Sequence, residues 1–344
     1  MADRGLASPG PKPTLGPMNS RLFGRTGRRV GEVGLGTWQL GAGWGDVPDE
    51  TAMATLRAAT AAGTTLLDTA DVYGMGRSET LIGDFLHETG AELYVATKLG
   101  RFSPPGWPQN FTREGVRGHI EASLRRLQVD ALDLAQLHCV PTAVLREGAI
   151  FAHLRELKRE GKIRDFGASV ESMEEALICL QQDGLAALQI IFNLFRQKPI
   201  TTLFAAAQKQ QVALLVRLPL ASGLLGGKMT AATTFPADDH RNFNRDGQQF
   251  NVGETFAGLP FGKGIELADA LKAWLPPGFS LADLALRWCL DFPAVTAIIP
   301  GARNPAQAAA NARASALPPL SPQLHAQLAA FYTQQVAPHI RGPY

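Results

Sequence analysis

The chain has 344 residues, 45% of them hydrophobic, and a formal net charge of +2. That length suits one large α/β domain or two ordinary ones, and a near-neutral charge with no basic cluster among aromatics argues against a nucleic-acid partner. No apolar run approaches the roughly 18 residues of a membrane span, and three scattered cysteines, Cys139, Cys179 and Cys289, suit a reducing cytoplasm with neither disulfides nor a metal site.

In chain order, residues 1–18 are rich in Pro and Gly, lack the apolar core of a signal peptide, and are expected to be a disordered tail. Residues 19–340 are expected to form a single domain. A small hairpin about residues 24–28 comes first, then a glycine-broken strand at 32–38. Asp49 and Thr51 can start a helix that Gly63 closes. Apolar runs and helical patterns then alternate: strands at 64–68, 93–98, 131–138, 163–168, 187–191 and 212–217, with helices at 78–87, 112–127, 143–160, 172–181 and 200–210 between them. An irregular stretch at 219–262 is too long for a plain connection. Helices near 263–274 and 280–290, a strand at 295–299 and a helix at 305–315 restore the rhythm, and a last helix at 321–334 stands outside it. Eight strands, each answered by a helix, predict an α/β fold of the (β/α)8 TIM-barrel type with an N-terminal hairpin, a long insertion after strand 7 and a C-terminal extra helix. A doubly wound sheet is the alternative, but Gly31, Gly34 and Gly36 do not make its G-x-G-x-x-G turn.

The polar residues sit at strand ends. The second strand ends in Asp68 and Tyr73 follows five residues later; the third ends in Lys98 and the fourth in His138. Each has a bland reading by itself: a structural acid–phenol pair, a paired lysine, a hydrogen-bonded histidine. In a closed barrel these ends share one mouth, so four ionisable groups on consecutive units would converge there.

At this point the sequence resembles the aldo-keto reductases of bacterial type. The resemblance runs from about Arg21 to Tyr332 and rests on Gly34-Leu35-Gly36-Thr37-Trp38, Asp68-Thr69-Ala70-Asp71-Val72-Tyr73-Gly74, Arg77-Ser78-Glu79, Thr97-Lys98, Gln136-Leu137-His138 and Ile299-Pro300-Gly301-Ala302-Arg303. It implies reversible hydride transfer between a nicotinamide cofactor and a small carbonyl compound, with Asp68, Tyr73, Lys98 and His138 as a catalytic tetrad and no metal. Tyr73 would be the general acid. Lys98 would lower the pKa of its phenol, and Asp68 would keep Lys98 charged. His138 would orient the carbonyl. Asp71 is left as loop or pocket-rim structure.

For the cofactor, the resemblance implies contacts from Thr37, Trp38, Asp68, Ser169, Gln189, Arg217, Pro219, Leu220, Gly223, Leu225, Gly301, Arg303, Gln307 and Asn311. Two positions depart from the family pattern: Val170 replaces an Asn, and Arg217 stands where a tyrosine would stack on the nicotinamide. Ser169 also reads as a helix cap. Arg303 at a helix start suits the 2′-phosphate of NADPH, expected over NADH, although the lysine common at the Gly301 position is missing. Trp44 and Trp107 are expected to line the substrate pocket with His138. A cofactor-sensing regulatory subunit, resembling the potassium-channel β subunits, is a second reading of the same residues. A barrel isomerase is a third, and the tetrad argues against it.

Overall fold

The computed structural model describes residues 18–41, 44 and 47–344; the expected tail lies outside these residues apart from Met18. The hairpin comes first, β1 (Ser20–Leu22) paired antiparallel with β2 (Arg29–Gly31). Eight parallel strands follow: β3 (Leu35–Gly36), β4 (Leu66–Asp68), β5 (Tyr94–Leu99), β6 (Leu132–His138), β7 (Ile163–Ser169), β8 (Leu185–Ile191), β9 (Ala213–Arg217) and β10 (Val295–Ile298). Each pairs with its neighbour in chain order. The ring closes through parallel bridges from Val33 to Ile298 and from Gly36 to Gly301. A side chain at Gly36 would place its Cβ 2.8 Å from the Ile299 carbonyl oxygen, so the seam needs a glycine there.

Strand alternation decides which side chains face the axis. Leu66, Tyr94, Ala96, Leu134, Ala187, Leu215 and Ala297 share one buried cluster, with Phe23 from the hairpin packed on the Tyr94 ring at 4.7 Å. Their neighbours Leu67, Val95, Ala135 and Leu137 belong to the larger cluster that includes the helices. The same period of two carries Asp68, Lys98, Gln136, His138, Ser169, Gln189 and Arg217 inward at the C-terminal ends. Apolar residues fill the barrel at one end and polar ones line it at the other.

Several boundaries differ from expectation. The first barrel strand shrinks to Leu35–Gly36, because Trp38–Gly41 turns into a short helix. The helix expected at 143–160 breaks at Gly148, whose φ of +80° is left-handed, giving Thr142–Glu147 and Ala149–Arg159. The 200–210 helix is likewise split, into Pro199–Thr202 and Phe204–Lys209. The insertion folds as short turns, among them Ala221–Gly226, His240–Phe243 and Val252–Glu254. Among the described residues no helix is long and apolar enough to cross a membrane.

Candidate active site

Lys98 sits almost wholly out of water on β5, and its Nζ donates to Asp68 Oδ2 at 2.6 Å, to the Thr69 carbonyl at 2.7 Å and to Tyr73 Oη at 3.3 Å. Burial alone would lower its pKa, but Asp68 and then Tyr73 outweigh burial and the net shift is upward. The ammonium is therefore secure at neutral pH. Asp68 also accepts from Gln189 Nε2 at 2.6 Å and from Gln136 Nε2 at 3.4 Å through its other oxygen.

Tyr73 is delivered by the loop after β4, where its amide donates to the Ala70 carbonyl. Its ring stacks on Trp38 at 5.8 Å and meets the His138 ring edge-on at 5.8 Å. The expected fall in its pKa is corrected here: burial raises it, Lys98 pulls it down without prevailing, and Asp68 adds to the rise. The phenol thus keeps its proton at neutral pH. His138 is buried, its Nδ1 has no hydrogen-bond partner among the described residues, and desolvation followed by the Arg101 and Lys98 charges pushes its pKa well down. It is a neutral imidazole.

Asp68, Tyr73 and His138, but not Lys98, border a cavity of about 1100 Å³, larger than the roughly 300–1,000 Å³ of an ordinary small-molecule pocket. The wall includes most of the expected contacts: Trp38, Trp44, Asp68, Tyr73, Trp107, His138, Ser169, Gln189, Arg217, Pro219, Leu220, Gly223, Gly301, Arg303, Gln307 and Asn311. Trp44 is covered by His240, 4.4 Å away, and by the Arg241 guanidinium at 4.5 Å, whereas Trp107 is half exposed.

Thr37 and Leu225 do not reach the cavity. The Thr37 hydroxyl is spent on the Asp68 carbonyl and on Ser78, and Leu225 is wholly buried in the core. The Gln189 amide nitrogen is committed to Asp68, so it braces the carboxylate as well as lining the wall. Ser169 caps no helix: Ser172 caps Met173–Leu180 in a reciprocal box with Glu175. Asp71 is no pocket rim; it has no solvent exposure at all.

At the far wall, the Gln307 side chain accepts from the Arg303 amide at 2.8 Å, and Asn311 Nδ2 donates to the Gly301 carbonyl at 3.1 Å. Helix Pro305–Ala312 begins there, capped by Asn304. The Arg303 side chain is exposed and forms no ion pair among the described residues. The space a side chain at Gly301 would need is held by Gln39, whose Oε1 would lie 2.1 Å from a Cβ.

Sequence reading missed a charged cluster beside His138. Arg101 reaches Glu171 and Glu254 at 3.0 Å each, and Arg217 Nη1 lies 3.6 Å from Glu254. Glu254 is buried, yet Arg101 and Arg217 drive its pKa well below the usual range; burial and then Glu254 push Glu171 upward. Arg217 also donates to the Val170 carbonyl at 3.2 Å, so ion pairing and this bond fix the guanidinium at the cavity wall. Cys139, Glu171 and Glu254 lie close enough to ligate a cation, but both acids are already tied to the two arginines. Arg101, Cys139 and Glu171 could have been found, since each lies within three residues of an identified strand-end residue. Glu254, in the insertion, carries no such signal.

The sequence pattern of the aldo/keto reductase family matches residues 32–333. The chain is 34% identical to the aldo-keto reductase YhdN of Bacillus subtilis over 291 residues, 82% of this chain and 84% of that one. It is 29% identical to the NADH-specific methylglyoxal reductase of Escherichia coli over 316 residues, 85% and 92% of the two chains. A solved aldo-keto reductase from Klebsiella pneumoniae, in complex with NADPH, superposes with a TM-score of 0.67 at 25% identity, covering 92% of this chain and 95% of the other. The chain belongs to the aldo/keto reductase family.

Proposed function

We propose that this protein is an NAD(P)H-dependent reductase of small aldehydes and ketones, with NADPH the preferred cofactor, in which Tyr73 Oη supplies the proton. The observation that carries the reading is the single ammonium, Lys98 Nζ, bonded at once to Asp68 and to the phenol of Tyr73 at the cavity wall.

The wall fits a dinucleotide. Among the described residues, Arg303 is an unpaired cation at a helix start, suited to a phosphate, and Arg217 Nε is buried without a hydrogen-bond partner. Ser169, Gln189 and Arg217 would hold the nicotinamide end; Gly223, Arg303, Gln307 and Asn311 would hold the phosphate and adenosine end. When bound, the reduced cofactor supplies the hydride that the carbonyl carbon receives. Tyr73 Oη passes its proton to the carbonyl oxygen, and Lys98 Nζ, 3.3 Å away, stabilises the phenolate left behind. Asp68, braced by Gln189, keeps that ammonium in place. His138, neutral, offers a ring N–H to the same oxygen without competing for its proton. The three free, buried cysteines suit a cytoplasmic setting.

Fluorescence titration of the purified protein with NADPH and NADH, followed by absorbance assays with aldehydes and ketones, tests this. Expected are micromolar or tighter binding of NADPH and its consumption with at least some of the carbonyls. Absence of cofactor binding, or binding without turnover across the panel, overturns the reading.

A further inference from the structure

A second set of buried polar groups lies behind the Tyr73 loop. Asp71 has no solvent exposure, and neither of its carboxyl oxygens completes a side-chain hydrogen bond among the described residues. Its polar neighbour is His119 Nδ1, 3.5 Å from Oδ2, on helix Arg113–Leu127. The other ring nitrogen, Nε2, lies 3.0 Å from Asn110 Oδ1.

Asn110 decides where the protons are. Its Nδ2 donates to the carbonyls of Gly100 at 3.0 Å and Phe102 at 2.7 Å, while its Oδ1 accepts from the Gly106 amide at 3.0 Å. Turning the amide round would forfeit all three bonds. Asn110 Oδ1 can only accept from His119, so Nε2 carries the hydrogen and Nδ1 of a neutral ring presents a lone pair. Burial and then Arg126 keep the ring neutral. A lone pair facing a buried carboxylate would repel it; a proton on Asp71 would let the contact, 3.5 Å as it stands, close into a hydrogen bond.

The surroundings agree. Burial, then Glu79 on helix Arg77–Thr89, raise the Asp71 pKa to about 8, while Arg126, the Val72 amide and Lys98 on β5 oppose the rise only in part. The chain of contacts ends on residues 100–111. This segment carries Arg101 and Trp107 to the reaction cavity, and Asn110 draws its Gly100, Phe102 and Gly106 backbone together.

We propose that Asp71 is a positioning residue: as a hydrogen-bond donor to His119 it locks Asn110, and with it the segment that brings Arg101 and Trp107 to the substrate. The kinetic consequence rests on the reductase reading; the structural one does not.

Asp71→Asn keeps a donor that does not titrate, and Asp71→Ala removes it. With NADPH added at pH 7, Asp71→Ala is expected to speed amide hydrogen exchange in residues 100–111 about tenfold. It should also raise KM for an aldehyde about tenfold, with kcat and NADPH affinity within about twofold of wild type. Asp71→Asn should match wild type in exchange and in KM. Above pH 8, exchange in this segment, corrected for intrinsic rates, should quicken in the wild type but not in Asp71→Asn. Identical behaviour of the two variants, or unchanged exchange in Asp71→Ala, overturns the proposal. If no variant turns over any carbonyl while the exchange pattern holds, the reductase reading falls and the positioning network stands.

Discussion

Lys98 Nζ and Asp68 Oδ2 lie 2.6 Å apart with both side chains almost wholly withdrawn from water. Such a pair adds little net stability, but removing one partner strands the other as a buried charge, at a cost of about 3–5 kcal/mol. Lys98→Met is therefore expected to lower unfolding stability by that amount, measured by denaturant titration. Adding Asp68→Asn should restore most of the loss, because the new amide is uncharged. Turnover should return in neither. Equal stability of the single and double variants would show that the pair is not desolvated as described.

Among the described residues the Tyr73 hydroxyl accepts one hydrogen bond, from Lys98 Nζ, and its ring packs on Trp38 and His138. Tyr73→Phe preserves that packing and removes the proton donor. Turnover with a good aldehyde substrate should fall at least about 10²-fold, with NADPH affinity unchanged within about twofold. Stopped-flow single-turnover measurement separates this loss from slow product release; a near-wild-type rate would remove Tyr73 from the chemistry.

The barrel was legible in the sequence because alternation of strand and helix patterns survives without tertiary information. Asp68, Lys98 and His138 could be brought together because strand ends of a barrel share a mouth. Local breaks were harder: at Gly148 the helical pattern runs on while the backbone turns left-handed. Thr37 and Leu225 sit in stretches that resemble the family, but burial behind the wall is a matter of side-chain direction that no spacing encodes. The Arg101–Glu254 pair joins residues 153 positions apart, and the tyrosine's upward pKa shift depends on a burial that only packing reveals.

Asp71 gives stability a pH dependence whose sign is fixed. The folded protein holds this proton up to about pH 8, whereas an unfolded carboxyl releases it near the model-peptide value of 3.8. Between those limits the folded state binds the extra proton, so this group's contribution to stability is full below pH 3.8 and is lost as pH rises toward 8. Asp71→Asn removes the dependence. From pH 5 to 8, wild-type stability relative to Asp71→Asn should therefore decline, as read by chemical unfolding at fixed ionic strength. A difference that stays flat or grows with pH contradicts the burial of this carboxyl in its neutral form.

Arg303 marks where cofactor choice would be made. Its backbone amide is held by Gln307, so the guanidinium is the free part, and no acid among the described residues competes for it. A 2′-phosphate placed there would gain charge-assisted bonds of about 1.5–3 kcal/mol, equivalent to roughly a 10- to 100-fold change in affinity. NADH has no 2′-phosphate and gains none of this. Arg303→Ala is accordingly expected to weaken NADPH by that factor and leave NADH within about twofold, measured by fluorescence titration at constant salt. The Gln39–Gly301 contact sharpens the comparison. Gln39 fills the space beside Gly301, so that position brings no cation to the phosphate; the lysine on this wall is Lys228. Equal weakening of both cofactors would instead place Arg303 on a group they have in common, such as the pyrophosphate.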